Sequence, residues 1–215
     1  MSTALLTDRY ELTMLDAAMR SGTYDRECVF EVFSRRLPDG RRFGIVGGTG
    51  RLLELISEFR FGDAELAWLR DNHVVGADAL DWLAAYRFAG DISGYREGDA
   101  FFPGSPILTV DGTFAEAVIL ETLVLSVLNY DSAVASAAAR MVSAAEGRPL
   151  SEMGSRRANE SAAVAAARAA YIAGFGATSN LAAGSRWGIP TMGTAAHSFT
   201  LLHDSEEEAF RAQVD

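Results

Sequence analysis

The chain has 215 residues, enough for one large domain or two small ones with a buried core. Its net charge is −10, and affinity for nucleic acids or anionic membranes needs clustered positive charge. We therefore expect neither as a partner. All 19 basic residues are arginine, which rules out a P-loop lysine or a Schiff-base lysine. A single cysteine, Cys28, excludes an internal disulfide and fits a reducing cytoplasm. No segment reaches membrane-spanning length without a charge.

The first 112 residues mix helical and strand patterns, and we predict that they form an α+β domain. A β-branched and aromatic run predicts a strand over residues 28–33. Between residues 88 and 110, glycine and proline interrupt the apolar residues, which predicts short strands joined by tight turns. Apolar residues at helical spacing predict four helices, over residues 8–20, 51–59, 64–70 and 79–86.

The glycine-rich segment GIVGGTG, residues 44–50, resembles a dinucleotide-binding loop at first sight. The third glycine of that fingerprint falls on Leu53, so the pattern is incomplete. We therefore predict a tight strand-to-helix turn.

Residues 113–149 form the next segment of the chain. They are apolar nearly all round, which predicts one long buried connecting helix, from Phe114 to about Ala145.

Residues 150–215 have a regular rhythm that predicts the first part of an α/β barrel. Three strand candidates each lead into a polar tip and a helix, an order typical of a parallel sheet or barrel. Ser205 and the glutamates after it form a capping-box pattern that opens the last helix. Three units cannot close a barrel, which needs about eight. We therefore expect this chain to be the amino-terminal part of a longer protein. The strand candidates are residues 150–155, 174–179 and 190–194.

The three tips carry side chains suited to an anion site. Ligands bind at the carboxyl ends of parallel strands, and there the chain places Arg156, Arg157, Ser179, Thr194 and His197. Guanidinium groups match carboxylates and phosphates. His197 leads a small, hydroxyl-bearing stretch and suits a nucleophile or an acid–base group. No second His or Cys lies at ligand spacing, so we predict no metal site.

A purely structural reading of the two arginines is equally consistent with their pattern alone. Arg156 and Arg157 would then cap the following helix or pair with Glu152 or Glu160. The convergence of the three tips on one edge favours the functional reading.

Four motifs, in one order along the chain, resemble nicotinate phosphoribosyltransferase. The resemblance implies a type II phosphoribosyltransferase fold, with an α+β domain followed by an irregular α/β barrel. It also implies the joining of nicotinate to phosphoribosyl pyrophosphate in NAD salvage, with coupled ATP hydrolysis and with Mg²⁺ accompanying the pyrophosphate. The motifs are TDRYELTM (residues 7–14), GSRRA (154–158), ATSN (177–180) and GTAAHSF (193–199).

Site roles follow from the resemblance, residue by residue. Tyr10 matches a tyrosine that stacks on the pyridine ring, typically from the partner subunit of a homodimer. Arg156, with Arg157 beside it, matches an arginine near the base and the phosphoribosyl phosphate. Thr194 lies where the family contacts nicotinate. His197 matches the histidine that ATP phosphorylates.

Substrate choice rests on Ser179, which stands where nicotinamide-using relatives carry an aspartate. An aspartate there would repel the nicotinate carboxylate and a serine does not, which favours the acid. Two alternatives stay open: a phosphoribosyltransferase for nicotinamide or quinolinate, and an inactive truncated paralogue that binds a ligand or a subunit. We expect this fragment alone to be inactive.

Overall fold

The computed structural model describes residues 3–214 and begins with the expected mixture of helices and strands. All four predicted helices are confirmed, with ends shifted by one or two residues. In α1, Leu12 and Leu15 face the core, and the helix ends at Gly22 with a φ of 69°. After a 3₁₀ turn at Ala4–Leu6, the helices are α1 (Arg9–Ser21), α2 (Thr49–Glu58), α3 (Asp63–Asp71) and α4 (Ala77–Ala85).

Five short strands form two antiparallel sheets in this part of the chain, which confirms the predicted strand at residues 28–33 and the short strands after residue 88. The larger sheet has the order β1-β5-β3, and β2 pairs with β4. The core lies between the larger sheet and the helices, where Phe59 packs edge-on against Phe61 and Tyr86. The strands are β1 (Glu27–Phe33), β2 (Gly44–Ile45), β3 (Asp91–Gly94), β4 (Ala100–Phe101) and β5 (Pro106–Thr113).

The glycine-rich segment is a tight strand-to-helix turn between β2 and α2, as predicted. A Cβ on Gly44 would lie 2.2 Å from the ring of Phe101, so only glycine fits there. The Gly47 amide donates to Ser132 Oγ (3.1 Å), and the Gly48 amide donates to Glu97 Oε1 (2.8 Å). Because these amides are already bonded within the fold, the loop has no free donors at these positions to cradle a phosphate.

The predicted helix from Phe114 to about Ala145 is confirmed at both ends but is not continuous, because two helices form it, α5 (Phe114–Val118) and α6 (Glu121–Ala145). β5 extends to Thr113, whose side chain caps α5. The break at residues 119–120 frees the amide of Thr122, which donates to the carboxylate of Glu11. A tertiary partner therefore starts α6 afresh. The division of the chain at residues 112 and 149 stays a prediction.

Helix α6 is long and apolar enough to cross a membrane by length and composition alone. Half of its most apolar window is buried inside the fold. Asp131, in its middle, is fully buried and forms a two-pronged ion pair with Arg51 (2.8 and 3.0 Å). A buried, paired carboxylate at mid-helix is typical of the core helix of a soluble protein.

The last part of the chain contains two parallel strands, β6 (Ser151–Glu152) and β7 (Ala177–Thr178), in the predicted positions. The third predicted strand, residues 190–194, is wrong as a strand, because it makes only one parallel bridge, between Thr178 and Thr191. Ser205 Oγ accepts from the Glu208 amide (3.2 Å), which confirms the predicted helix start. The helices are α7 (Glu160–Ile172), α8 (Leu181–Trp187), α9 (His197–Thr200) and α10 (Glu206–Val214).

We predict that Gly48→Ala destabilises the chain more than Gly40→Ala. Both glycines have positive φ (95° and 77°), so alanine costs about 1–2 kcal/mol of backbone strain at either position. At Gly48 the added Cβ would also lie 2.9 Å from the Asp131 side chain, whereas Gly40 has nothing within 4 Å. We expect a further loss of about 1–3 kcal/mol at Gly48, measured by urea unfolding. Equal losses would contradict the packing of this loop on α6.

Candidate functional site at the ends of the parallel strands

The polar tips lie at one edge of a small parallel sheet. Ser151 pairs with Ala177 and Glu152 with Thr178, and Thr178 bridges to Thr191, all in parallel. Parallel neighbours end on the same side, so the residues that follow each segment share that edge. The topology therefore agrees with the predicted convergence of the tips.

A hydrogen-bond network that the sequence did not predict ties the first two tips together. The hydroxyl of Thr178, which is fully buried, donates to Glu152 Oε2 (2.8 Å) and accepts from the Asn180 amide (3.0 Å). The Asn180 side chain donates to Ser155 Oγ (3.1 Å). A carboxylate and a hydroxyl at matched positions of neighbouring strands were the available signal for this network.

Arg156 and Arg157 are exposed, and within residues 3–214 neither forms an ion pair. The Glu152 carboxylate is already used by Thr178 and by the Gly154 amide. Asn159, not an arginine, caps α7, because its Oδ1 accepts from the Ala162 amide (2.8 Å). Neither structural role that the sequence left open for the arginines is found in the described part of the chain, so both guanidiniums are free to meet an anion.

The remaining tip residues present their side chains without internal partners in the described range. Ser179 is half-buried and its amide donates to the Glu152 carbonyl (2.9 Å), which leaves the hydroxyl uncommitted. Thr194 and His197 are exposed, and His197 is the first residue of α9. No hydrogen bond between these side chains joins them to one another within residues 3–214. The parallel pairing is consistent with their lying at one edge, and their convergence on one site stays a prediction.

Tyr10 lies elsewhere: it belongs to α1, and its side chain reaches the start of α6. Its hydroxyl donates to Glu121 Oε1 (2.7 Å), and 43% of the residue is exposed. The bond to Glu121, together with partial burial and the negative charge nearby, raises the pKa of Tyr10 to about 12. Within the described residues its hydrogen bond is to α6 and not to the strand tips, so the structure does not bring Tyr10 into the tip cluster of its own chain.

Glu11, the next residue, was missed by the sequence reasoning and is fully buried. Its carboxylate accepts from the Thr122 amide (2.9 Å) and from the hydroxyls of Thr7 and Thr122. Burial raises the pKa of Glu11, and these hydrogen bonds oppose that shift. An acidic residue beside Leu12 on the apolar stripe of α1 was the sequence signal. Glu11 attaches α1 to the start of α6 and so helps to position Tyr10 beside Glu121.

We predict that Tyr10 titrates near pH 12 and that Glu121→Ala returns its midpoint toward 10, because the acceptor and its charge are removed. Since the pKa is raised in the fold, the stabilisation is complete below pH 10 and is lost as the pH rises through 12. Tyrosine ring ¹³C NMR checks this, with Tyr10→Phe for assignment. Glu58→Ala, on the exposed side of α2, is the matched control. An unchanged midpoint in Glu121→Ala would contradict the bond.

Comparison with known proteins gives a consistent family. Residues 5–129 match the family model of the nicotinate phosphoribosyltransferase (NAPRTase) N-terminal domain. The chain is 62% identical to nicotinate phosphoribosyltransferase pncB1 of Mycobacterium tuberculosis, over 98% of this chain and 48% of the relative. It is 36% identical to nicotinate phosphoribosyltransferase of Bacillus subtilis, over 100% of this chain and 44% of the relative.

Solved structures agree with the sequence relatives. Human nicotinic acid phosphoribosyltransferase superposes with a TM-score of 0.84 at 33% identity, over 91% of this chain and 40% of that one. A nicotinate-nucleotide pyrophosphorylase from Pyrococcus furiosus, 22% identical with a TM-score of 0.79 over 98% of this chain and 46% of that one, shares the fold. The chain spans about half the length of the curated relatives it matches. On this evidence it belongs to the nicotinate phosphoribosyltransferase family.

Proposed function

We propose that this chain supplies the amino-terminal half of an enzyme of NAD salvage in the cytoplasm. The enzyme joins nicotinate to phosphoribosyl pyrophosphate and releases nicotinate mononucleotide and pyrophosphate. The observation that carries the proposal is the strand-tip edge of a chain of this family: Arg156 and Arg157, which follow the first strand, are exposed and form no ion pair within residues 3–214, and an exposed His197 follows the third segment. Both substrates are anions, and guanidinium groups bind carboxylate and phosphate oxygens in pairs.

The acid form of the base fits this edge better than the amide. Ser179 is half-buried and carries no charge, so a carboxylate beside it meets no repulsion. The Glu152 carboxylate, the nearest acid on these strands, is held by Thr178 and by the Gly154 amide. Quinolinate has a second carboxylate, for which these strand ends supply no additional arginine.

His197 is the proposed phosphate acceptor for coupled ATP hydrolysis. Its exposed ring stands at the first position of α9 with no hydrogen-bond partner in the described part of the chain. An imidazole nitrogen would attack the γ-phosphorus: an N–P bond forms, the bond to the bridging oxygen breaks, and ADP leaves. Mg²⁺ would accompany the pyrophosphate group and be held largely by its phosphate oxygens, as is usual for this ion.

A homodimer with a shared site would use Tyr10. Its ring is exposed while its hydroxyl is held by Glu121. Glu121 also lines a cleft of about 450 Å³, beside the exposed apolar side chains of Phe33 and Leu125. Exposed apolar surface of this kind favours a protein interface. A second copy that covered this surface would place its strand-tip edge near Tyr10 of the first copy.

A chimera tests the function. We expect this chain, fused to the remaining carboxyl-terminal part of the Mycobacterium tuberculosis relative, to form nicotinate mononucleotide from nicotinate and to use nicotinamide and quinolinate poorly. Arg156→Ala should lower kcat/KM by roughly 30- to 150-fold, because one charge-assisted hydrogen bond contributes about 2–3 kcal/mol. The matched control is Arg211→Ala, which removes an exposed arginine paired with Glu207. A chimera that prefers another base, or is indifferent to Arg156, would overturn the proposal.

ATP coupling has its own test in the same chimera. We expect γ-labelled ATP to leave acid-labile, base-stable label on the protein, and His197→Ala to abolish both the label and the stimulation of synthesis by ATP. The control is His203→Ala, whose ring is engaged by Phe199 (4.8 Å between ring centroids) and so is not a free acceptor. Undiminished label in His197→Ala would place the acceptor elsewhere.

A further inference from the structure

A largely buried ion pair joins the amino-terminal part of the chain to the barrel part. Glu97, in the turn between β3 and β4, receives two hydrogen bonds from Arg168 of α7 (2.6 and 2.8 Å). The two side chains are only 20% and 14% exposed, respectively. Paired two-pronged contacts of this kind hold orientation as well as charge.

The same carboxylate also holds the glycine-rich loop. Glu97 accepts the Gly48 amide (2.8 Å) and a backbone hydrogen bond from Gly50. A Cβ on Gly50 would lie 2.8 Å from the Arg168 guanidinium and 3.0 Å from Glu97, so glycine leaves the space that the pair needs. Glu97 is therefore shared between the start of α2 and the middle of α7.

Further contacts extend the junction to α8. The guanidiniums of Arg168 and Arg186 lie over the ring of Trp187, at 5.4 and 5.0 Å from its centroid. Arg186 in turn pairs with Glu54 of α2 (2.8 Å). Helix α7, through Glu97, and helix α8, through Arg186, are thus both attached to α2.

Apart from the packing of α7 on α6, the barrel part has few other contacts that fix its position. β6 and β7 have two residues each, and the third segment adds a single bridge. A strand pair this short is not stable by itself. The local apolar cluster consists mainly of small or medium side chains: Ala167, Ala183 and Ile189, with Val164 and Trp187 at its margin.

We propose that Glu97 and Arg168 are positioning residues for the strand-tip site. Arg168 lies twelve residues after Arg156, on the helix whose first turn follows the two arginines. Holding α7 at Arg168 fixes the rigid helix and with it the segment of residues 154–159. What the tips bind rests on the proposed function; the positioning itself does not.

Hydrogen exchange measured by mass spectrometry tests this on the chain as it exists. We expect Glu97→Gln and Arg168→Met each to speed exchange at least tenfold in peptides of residues 151–162, while β1 and β5 keep their protection. The double variant should add little to either single change, because the two residues act through one contact. Glu54→Gln, which breaks the exposed pair with Arg186 at the same junction, is the matched control and should have a much smaller effect.

Unchanged exchange in residues 151–162 would overturn the proposal, and so would an equal rise in β1 and β5, which would mark only global destabilisation. If Arg168→Met fails to fold, Arg168→Lys decides: it keeps the charge but not the paired contact. We expect an intermediate rise at the tips from it, and wild-type protection would contradict the proposal.

Turnover in the chimera gives the functional readout. We expect Glu97→Gln to lower kcat/KM for nicotinate at least tenfold. Arg168→Lys should keep part of the activity that Arg168→Met loses. The control Glu54→Gln should stay within about twofold of the parent chimera. Full activity in Glu97→Gln would overturn the positioning role. An inactive parent chimera would count against the proposed function and leave the exchange result standing, so the two failures are distinguishable.

Discussion

The arrangement of the chain depends on the contacts of one partly buried carboxylate, that of Glu97. It neutralises Arg168 and accepts the amides of Gly48 and Gly50, so one side chain fixes a loop, a helix start and a second helix. Burial alone would raise the pKa of Glu97, but the guanidinium and the backbone amides outweigh it and lower that pKa. Its stabilisation is therefore complete above the ordinary glutamate pKa and is lost as the pH falls through the lowered value.

Glu11 shows that the kind of partner decides whether burial prevails in setting the pKa of an acid. It is more completely buried than Glu97, yet its partners are two hydroxyls and one amide, with no cation among them. Burial therefore prevails and raises the pKa of Glu11. Since the protonated form is favoured in the fold, its ionisation costs stability as the pH rises above the ordinary value. The two acids therefore change the stability of the fold with pH in opposite directions.

Patterns within one element were readable from the sequence, and contacts between distant elements were not. The apolar stripe through Leu12 and Leu15 predicted α1 within one residue at each end. The break before Glu121 was missed because its cause is Glu11, over a hundred residues earlier. The third strand failed for a similar reason: residues 190–194 have a strand-like sequence but make only one bridge. The tip residues could be proposed because chain direction in a parallel sheet fixes which strand ends meet, and their role stays a prediction.

Side-chain size explains why polar contacts carry so much of this architecture. Five buried alanines along α7 let it lie close to α6, but small side chains interlock weakly and leave sliding and rotation poorly determined. Two-pronged ion pairs have a narrow geometry and define these positions more closely: Arg51 with Asp131 sets α2 on α6, and Arg168 with Glu97 sets α7 on the turn between β3 and β4 and on the start of α2. Arg156 and Arg157 are the contrast, since within residues 3–214 they form no ion pair and their guanidiniums remain available to bind an anion.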